Sequence, residues 1–246
     1  ELKLTRSTGE VIDGTLYTRV FMDKEKNFWI DFNSLPPRTS TDVLFSTTSL
    51  RISRVLRGRA IWYIGDQKYD VEEGDIFILN NTERRSIPTV FPPDYLVLQT
   101  LDSEPRFIWS DHNNMFDMSY LKIFFEKPAA MKNRMHHDTK SAKEICSIMH
   151  KMQEEMVNRL PEYKQMVKVM LHHILVILNR HYISNLSEYN FNSPPPRSHF
   201  IKLEQVLSYI DKHISENITL DKLSKIANMS ESHFRKTFKK YNGMSV

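Results

Sequence analysis

Cationic, hydroxyl and imidazole side chains crowd the end of this chain at a spacing suited to contact a nucleic acid. The sequence predicts a helix over Glu231–Tyr241, and Phe234 and Phe238 lie one turn apart on its inner face. We expect the polar residues of its first half to meet base edges in a major groove and the remaining cations to meet phosphates. The base-reading candidates are Ser232, His233 and Lys236, and the phosphate-binding candidates are Arg235, Lys239 and Lys240.

A shorter helix is predicted directly before this one, because apolar residues recur at helical spacing from Leu220. Thr219 and Ser230 are suited to cap the two helices, and Asn228 tolerates the left-handed backbone of a sharp turn between them. An isolated basic helix is often only a solvated surface. Here the caps, the turn and the aromatic inner face agree, which favours a helix-turn-helix.

The run Ile218–Ser245 closely resembles the first helix-turn-helix of the AraC family of bacterial transcription regulators. The match includes Met229-Ser230, the Phe-x-x-x-Phe-Lys-Lys run that begins at Phe234, and a closing Gly-Met-Ser, although Asn228 stands where the family usually has glycine. The resemblance implies promoter DNA as a partner, with RNA polymerase as a further candidate. The family carries two such motifs, and the sequence ends at Val246 before a second one, so we expect this partial domain to bind DNA weakly.

Composition is that of an ordinary globular protein. Of 246 residues, 40% are hydrophobic and 26% are charged, and the length favours two domains. The formal net charge is only +4, so the argument for nucleic acid rests on local clustering. The single cysteine, Cys146, fits a reducing cytoplasm, and no apolar run is long enough to cross a bilayer. We therefore expect a cytoplasmic protein without a membrane partner.

The first hundred residues have strand chemistry between turn signals, which predicts a barrel or jelly roll over about residues 16–105. The candidate strands are Val20–Phe32, Leu50–Leu56, Ala60–Ile64, Lys68–Val71, Asp75–Leu79 and Tyr95–Thr100. The segment Val55–Leu79 resembles the cupin core of AraC-type sensor domains. The predicted class is α+β: an N-terminal cupin-like β-barrel, a helical dimerisation region and a partial all-α helix-turn-helix domain.

Two amphipathic helices are predicted after the barrel, over Ser141–Asn158 and Pro161–His181. Their wide apolar stripe indicates either intramolecular core or a subunit interface, and the resemblance implies that such helices make the contact of a homodimer. The interface candidates are Met166, Met170, Ile174 and Leu178. The polar, proline-bearing segment 184–198 is typical of a linker, which divides the chain into 1–183, 184–198 and 199–246.

Metal-dependent cupins hold their metal with histidines, and the strand region contains no His-x-His. Glu83-Arg84-Arg85 occupies the place of the last ligand, and arginine cannot bind a cation. The pairs His136-His137 and His172-His173 are expected to point to different sides of the chain. We therefore predict no metal, no cofactor and no catalytic residue. The alternatives are a cupin-type enzyme, such as an isomerase or dioxygenase with a helical appendage, and a protein-interaction module.

A barrel without catalytic ligands can still bind a small effector. Large polar or aromatic residues on the strands are the candidates for the pocket: Arg54, Trp62, Arg85 and Tyr95. Each has a structural alternative, since Arg54 could face outward, Trp62 could be core and Arg85 could pair with a carboxylate. Arginine and aromatic side chains suit a carbohydrate or an anionic metabolite. The sequence thus predicts an effector-controlled, sequence-specific DNA-binding regulator that is not an enzyme.

Overall fold

The structure is a computed structural model that describes residues 9–12, 15–22, 28–39, 49–81, 83–104, 120, 122–125, 133–186, 199–242 and 245. Two antiparallel sheets form its N-terminal part. The strands are β1 (Gly9–Ile12), β2 (Thr15–Met22), β3 (Phe28–Leu35), β4 (Arg38–Thr39), β5 (Leu50–Arg57), β6 (Ala60–Ile64), β7 (Gln67–Val71), β8 (Ile76–Leu79), β9 (Arg85–Val90), β10 (Leu96–Ser103) and β11 (Arg134–Met135).

The larger sheet has the strand order β1-β2-β3-β10-β5-β8-β11, and the smaller has β4-β9-β6-β7. Between the two sheets lies one hydrophobic core, which includes Trp62, Phe77 and Leu98. This packing arranges the strands as a barrel with an inner and an outer face. Gly58 permits the turn from β5 to β6, since its φ is +90° and a Cβ there would lie 2.4 Å from the Tyr95 carbonyl oxygen.

Helices cover the outer face of the larger sheet and form the C-terminal part of the chain. They are α1 (Lys122–Phe125), α2 (Lys140–Asn158), α3 (Tyr163–Leu186), α4 (His199–Lys212), α5 (Leu220–Ile226) and α6 (Glu231–Asn242). Thr139 caps α2 by accepting from the Ala142 amide. The α2 stripe of Ile145, Met149 and Met152 is buried against the sheet and α3, as its helical spacing predicts.

The structure differs from the predicted elements at several points. Strand β9 was not predicted because Pro88 interrupts it, and the structure accommodates the proline at an irregularity in the β6–β9 register. The apolar residue Ile214 lies beyond the end of α4 and is 77% exposed, so it does not pack beneath the C-terminal helices. Residues 184–186, assigned to the linker, belong to α3, and residues 187–198 lie outside the described part of the chain.

No described helix combines the length and the apolar character needed to cross a bilayer.

Candidate nucleic-acid interface and effector site

The C-terminal helices α5 and α6 form a compact helix-turn-helix. Thr219 accepts from the Lys222 amide through its hydroxyl at 3.4 Å, and Ser230 accepts from the His233 amide at 3.3 Å. Between the helices Asn228 has a φ of +50°, in the left-handed region. Both predicted caps and the predicted turn residue are therefore confirmed.

The inner face of α6 fixes the orientation of this pair. Phe234 and Phe238 are buried with ring centroids 5.4 Å apart, and Leu223 packs in the same cluster. Small residues, Ser224 and Ala227, are buried at the helix crossing and allow the close approach. With this face fixed inward, the opposite face of α6 must point to solvent.

That opposite face, the α6 outer face, is exposed as predicted. It consists of Ser232, His233, Arg235, Lys236 and Lys239. Next to it on α5, the Lys225 ammonium lies 2.7 Å from the Asp221 carboxylate. A hydrogen bond with Tyr209 raises the pKa of Lys222, whose ammonium lies 4.8 Å from the Tyr209 ring centroid. The result is a basic surface with hydroxyl and imidazole groups near the α6 N-terminus.

Lys240 differs from the other predicted phosphate-binding residues because it lies at a contact with the N-terminal part of the chain. The Asn81 side-chain amide donates to the Lys240 carbonyl at 2.9 Å, and the Phe125 and Tyr241 rings lie 4.5 Å apart. The Lys240 ammonium is 5.8 Å from the Phe125 ring centroid. Its charge is therefore held beside aromatic rings of the docking contact, which we define as Asn81, Phe125, Lys240 and Tyr241.

The inner face of the barrel carries a row of polar side chains across the larger sheet. Directly paired residues on neighbouring strands share a face, and one such row runs through Arg19, Asp31, Thr100, Ser53 and Phe77. Arg19 forms a bidentate ion pair with Asp31 at 2.9 and 3.2 Å. In the adjacent row, Asp102 accepts from Arg51 at 2.7 Å and from Ser49 at 2.9 Å.

Several buried polar atoms on this inner face have no hydrogen-bond partner within the described residues. They are Asn33 Oδ1, Ser53 Oγ, Trp62 Nε1 and Asp102 Oδ2. A buried polar group without a partner costs about 1–3 kcal/mol, so such a concentration on one face needs an explanation. Together with the paired carboxylates these atoms form the lumen cluster, a set of donors and acceptors that a polar ligand could satisfy.

The structure places only some of the four predicted effector residues on the inner face of the barrel. Trp62 and Arg85 are buried on the inner face, and the Trp62 and Phe77 rings are tilted by 34° with their centroids 4.5 Å apart. Arg54 instead faces α2, where its guanidinium donates to the Cys146 carbonyl at 3.1 Å, so its assignment to the pocket is wrong. Tyr95 lies before β10 with its side chain half exposed, and its contact with an effector stays a prediction. Strand register sets these faces, because a shift of one residue exchanges inner and outer side chains.

The predicted dimer residues on α3 differ in exposure. Ile174 and Leu178 are completely buried inside the single chain, so neither can contact a second copy, and that part of the prediction is wrong. Met166 is 44% exposed and Met170 is half-buried. Val157 and Leu160, near the connection from α2 to α3, are also exposed. The exposed apolar surface therefore lies at this connection and not at Ile174 and Leu178.

His136 and His137 were expected to point apart, but their ring centroids lie 4.1 Å apart. They lie in a turn before α2 and not in regular structure, so the helical rule that separates adjacent side chains does not apply. The His137 Nδ1 atom is 3.2 Å from Asp75 Oδ1, across the barrel edge. Cys146 donates to the Gly74 carbonyl at 3.5 Å, and burial raises the pKa of its thiol.

Comparison with known proteins finds a family model that matches the C-terminal helices. Residues 210–246 match the model of bacterial regulatory helix-turn-helix proteins of the AraC family. The HTH-type transcriptional activator RhaR of Shigella dysenteriae is 22% identical over 192 residues, covering 78% of this chain and 63% of its own length. RhaR of Escherichia coli K12 is 21% identical over 197 residues, covering the same shares of the two chains. The chain thus spans about 63% of the curated relatives it matches.

The fold is shared with a solved regulator. The crystal structure of the AraC-like transcriptional activator CuxR aligns with a TM-score of 0.51 at 13% identity, covering 94% of this chain and 79% of the other. Together with the two-sheet N-terminal part and the helical C-terminal part, this confirms the predicted α+β class.

Proposed function

We propose, from the AraC-family helix-turn-helix that this chain carries at its C-terminus, that the protein is a sequence-specific DNA-binding transcription regulator controlled by a small effector. The observation that carries the proposal is the α6 outer face, which is basic and exposed and is held outward by the buried Phe234 and Phe238. Residues 199–246 bind promoter DNA in this proposal, residues 1–186 sense the effector and dimerise, and 187–198 link them.

The DNA step follows from the chemistry of the α6 outer face. His233 and Lys236 lie in the first half of the helix, where a recognition helix reaches base edges, and Arg235 and Lys239 are placed to bind phosphates. The N-terminal end of α6 is also favourable for anions through its helix dipole. Lys240 can bind a phosphate together with these residues only when the docking contact is broken.

The effector step rests on the lumen cluster. Its unpartnered acceptors, the Trp62 Nε1 donor and the neighbouring hydroxyls are suited to a polyhydroxylated ligand such as a carbohydrate. Arg51 and Arg85 add positive charge that would suit an anionic metabolite as well. The chain up to Ser103 contains no histidine, the ligand that metal-dependent cupins use, which supports binding over metal-dependent catalysis in the lumen.

Regulation follows from the position of the helices. The outer face of the effector-binding sheet packs on α2 and α3, and the same hydrophobic cluster continues into α5 and α6. An effector that binds one arrangement of these helices more tightly shifts the population toward it. In a cytoplasmic homodimer, this change sets the spacing of two recognition helices on adjacent half-sites and their presentation to RNA polymerase.

The test is a selection of duplexes from a random library by the 246-residue chain at low ionic strength, followed by fluorescence anisotropy on a selected and a random duplex. The double variant His233→Ala, Lys236→Ala should lose about 1–3 kcal/mol per base contact on the selected duplex and much less on the random one. Lys239→Ala should weaken both duplexes alike and reduce the salt slope by about one.

Lys143→Ala is the matched control, because it removes an exposed lysine from α2, away from the recognition helix. It should bind both duplexes as the unaltered chain does. If the double variant kept the full preference for the selected duplex, the assignment of the α6 outer face would be wrong.

A further inference from the structure

A cluster of metal-ligating groups lies outside the barrel lumen, where the turn between β7 and β8 meets the start of α2. One ring nitrogen each of His136 and His137 and one carboxylate oxygen of Asp75 all lie within 4.8 Å of one another. Two imidazoles and a carboxylate are a ligand set typical of zinc and similar divalent transition metals. We propose that Asp75, His136 and His137 bind such a cation.

The distances are close to those of a tetrahedral site. Zinc bonds to nitrogen and oxygen are about 2.0–2.2 Å, which places ligand atoms of a tetrahedron about 3.3–3.6 Å apart. His137 Nδ1 and Asp75 Oδ1 are already 3.2 Å apart. The His136 ring lies beside His137 at a tilt of 32° and is partly exposed, so its side chain has room to rotate and close the remaining distance.

The surroundings hold two of the ligands in place. Asp75 is completely buried, and its Oδ1 accepts from the His137 amide at 3.0 Å while its Oδ2 accepts from the Glu72 amide at 3.2 Å. Gly74 leaves room for His137, since a Cβ at residue 74 would lie 3.0 Å from the His137 Cβ. This support orients the carboxylate and one imidazole before any cation binds, as a metal site requires.

The local charge also favours a cation. Asp138 lies 3.3 Å from His136 Nδ1 and Glu72 lies 4.0 Å from His137 Nδ1, so either carboxylate can supply a fourth ligand. Arg134 carries an opposing charge, and its guanidinium lies 3.6 Å from Asp75 Oδ2, the oxygen turned away from His137. Arg57 and Arg59 line the neighbouring groove and add further positive charge. An open groove of about 660 Å³, lined in part by Glu72 and His137, gives the ion a path from solvent.

The site joins two parts of the fold that are distant in sequence. Asp75 and Glu72 belong to the barrel, whereas His136, His137 and Asp138 directly precede the Thr139 cap of α2. A bound cation would therefore fix the start of α2 to the barrel edge and stabilise the folded chain.

The test is isothermal titration calorimetry of the 246-residue chain, without an affinity tag and stripped of metal by a chelator, with zinc chloride. We expect one cation per chain and a Tm that rises with zinc. Because loss of even an outer-shell partner lowers metal affinity about 10–100-fold, His136→Ala and His137→Ala should each lower affinity at least about tenfold. Cobalt should give the intense visible absorption of a tetrahedral site, and each variant should lose it.

His150→Ala is the matched control, because His150 is an exposed histidine on α2 beside a carboxylate, Glu154, at 3.6 Å. It should bind zinc as the unaltered chain does. His136 is partly exposed, so its replacement leaves the fold intact and keeps the test decisive if His137→Ala fails to fold. An absence of zinc binding, or equal affinity in His136→Ala and in the unaltered chain, would overturn the proposal.

Discussion

The individual polar residues inside the barrel support the proposed effector site over a plain hydrophobic core. Trp62 is only 2% exposed, yet its Nε1 has no hydrogen-bond partner in the part of the chain that the structure describes. Ser53 and Thr100, paired across β5 and β10, are also buried on this face. A core evolved only for stability would place apolar groups at such positions, because each unsatisfied group costs free energy.

The Trp62 indole nitrogen is expected to donate to the effector. A panel of neutral monosaccharides, alditols and sugar acids should include compounds that raise the Tm of the chain in thermal-shift measurements. Trp62→Phe removes one donor, so it should weaken binding of an active compound by about 0.5–1.5 kcal/mol, which is about two- to twelvefold.

Tyr63→Phe serves as the comparison for Trp62→Phe. Tyr63 is the next residue of β6 and is exposed on the opposite face, and the change likewise removes one donor from an aromatic side chain. Its dose–response should match that of the unaltered chain. Equal effects of the two changes, or no response to any member of the panel, would contradict a lumen site for this ligand class.

Secondary-structure elements differ in how far the sequence determines them. The caps, the turn at Asn228 and the buried phenylalanines of the helix-turn-helix could be predicted, because they follow local rules of spacing and conformation. The sequence could not predict which residues of each strand face the barrel interior. Arg54 and Ser53 are neighbours on β5, and only the pairing with β10 decides that Ser53 faces the lumen and Arg54 faces α2.

Contacts between distant segments could not be predicted from the sequence either, because they also depend on how the strands pair. Asp75 and the pair His136-His137 lie far apart in the chain and meet only because β11 pairs with β8 and delivers the following turn to the barrel edge. Burial of Ile174 and Leu178 likewise depends on how α3 packs against α2 in the shared hydrophobic cluster. The helical period predicted an apolar stripe on α3 but not the part of it that remains exposed.

The exposed apolar residues around the connection from α2 to α3 are the candidate dimer surface, consisting of Val157, Leu160, Met166, Val169 and Met170. A charge placed there would be desolvated in a homodimer, so Met166→Asp should weaken dimerisation by about 1–3 kcal/mol while leaving the monomer folded. Sedimentation equilibrium measures the change in the dimer dissociation constant. Ile214→Asp changes another strongly exposed apolar residue outside this surface and should leave that constant unaltered. A dimer equally stable in both variants would place the interface elsewhere.

At the scale of the whole molecule, the outer face of the larger sheet and the C-terminal helices are packed together. A single hydrophobic cluster runs from the outer face of the sheet, at Ile52 and Ile76, through α2 and α3 to Leu223 and Phe234. Tyr182 on α3 lies in this cluster, and its burial raises the pKa of its phenol. Because the sheet and the C-terminal helices share this cluster, we expect the unaltered chain to unfold as one cooperative unit, and the docking contact to couple effector binding to the recognition helix.

Phe125→Ala tests this coupling, because it removes the ring that packs 4.5 Å from Tyr241 and lies beside the Lys240 ammonium. An aromatic pair of this kind contributes about 0.5–1.5 kcal/mol beyond its buried area. In scanning calorimetry the unaltered chain should show one transition with equal calorimetric and van't Hoff enthalpies, and Phe125→Ala should show two.

In Phe125→Ala the Lys240 ammonium is freed from the docking contact and becomes available to phosphates, so the salt slope of DNA binding should increase by about one. Phe91→Ala removes a phenylalanine ring that lies outside the docking contact and should change neither measurement. A single two-state transition and an unchanged salt slope in Phe125→Ala would show that the two parts are not coupled through this contact.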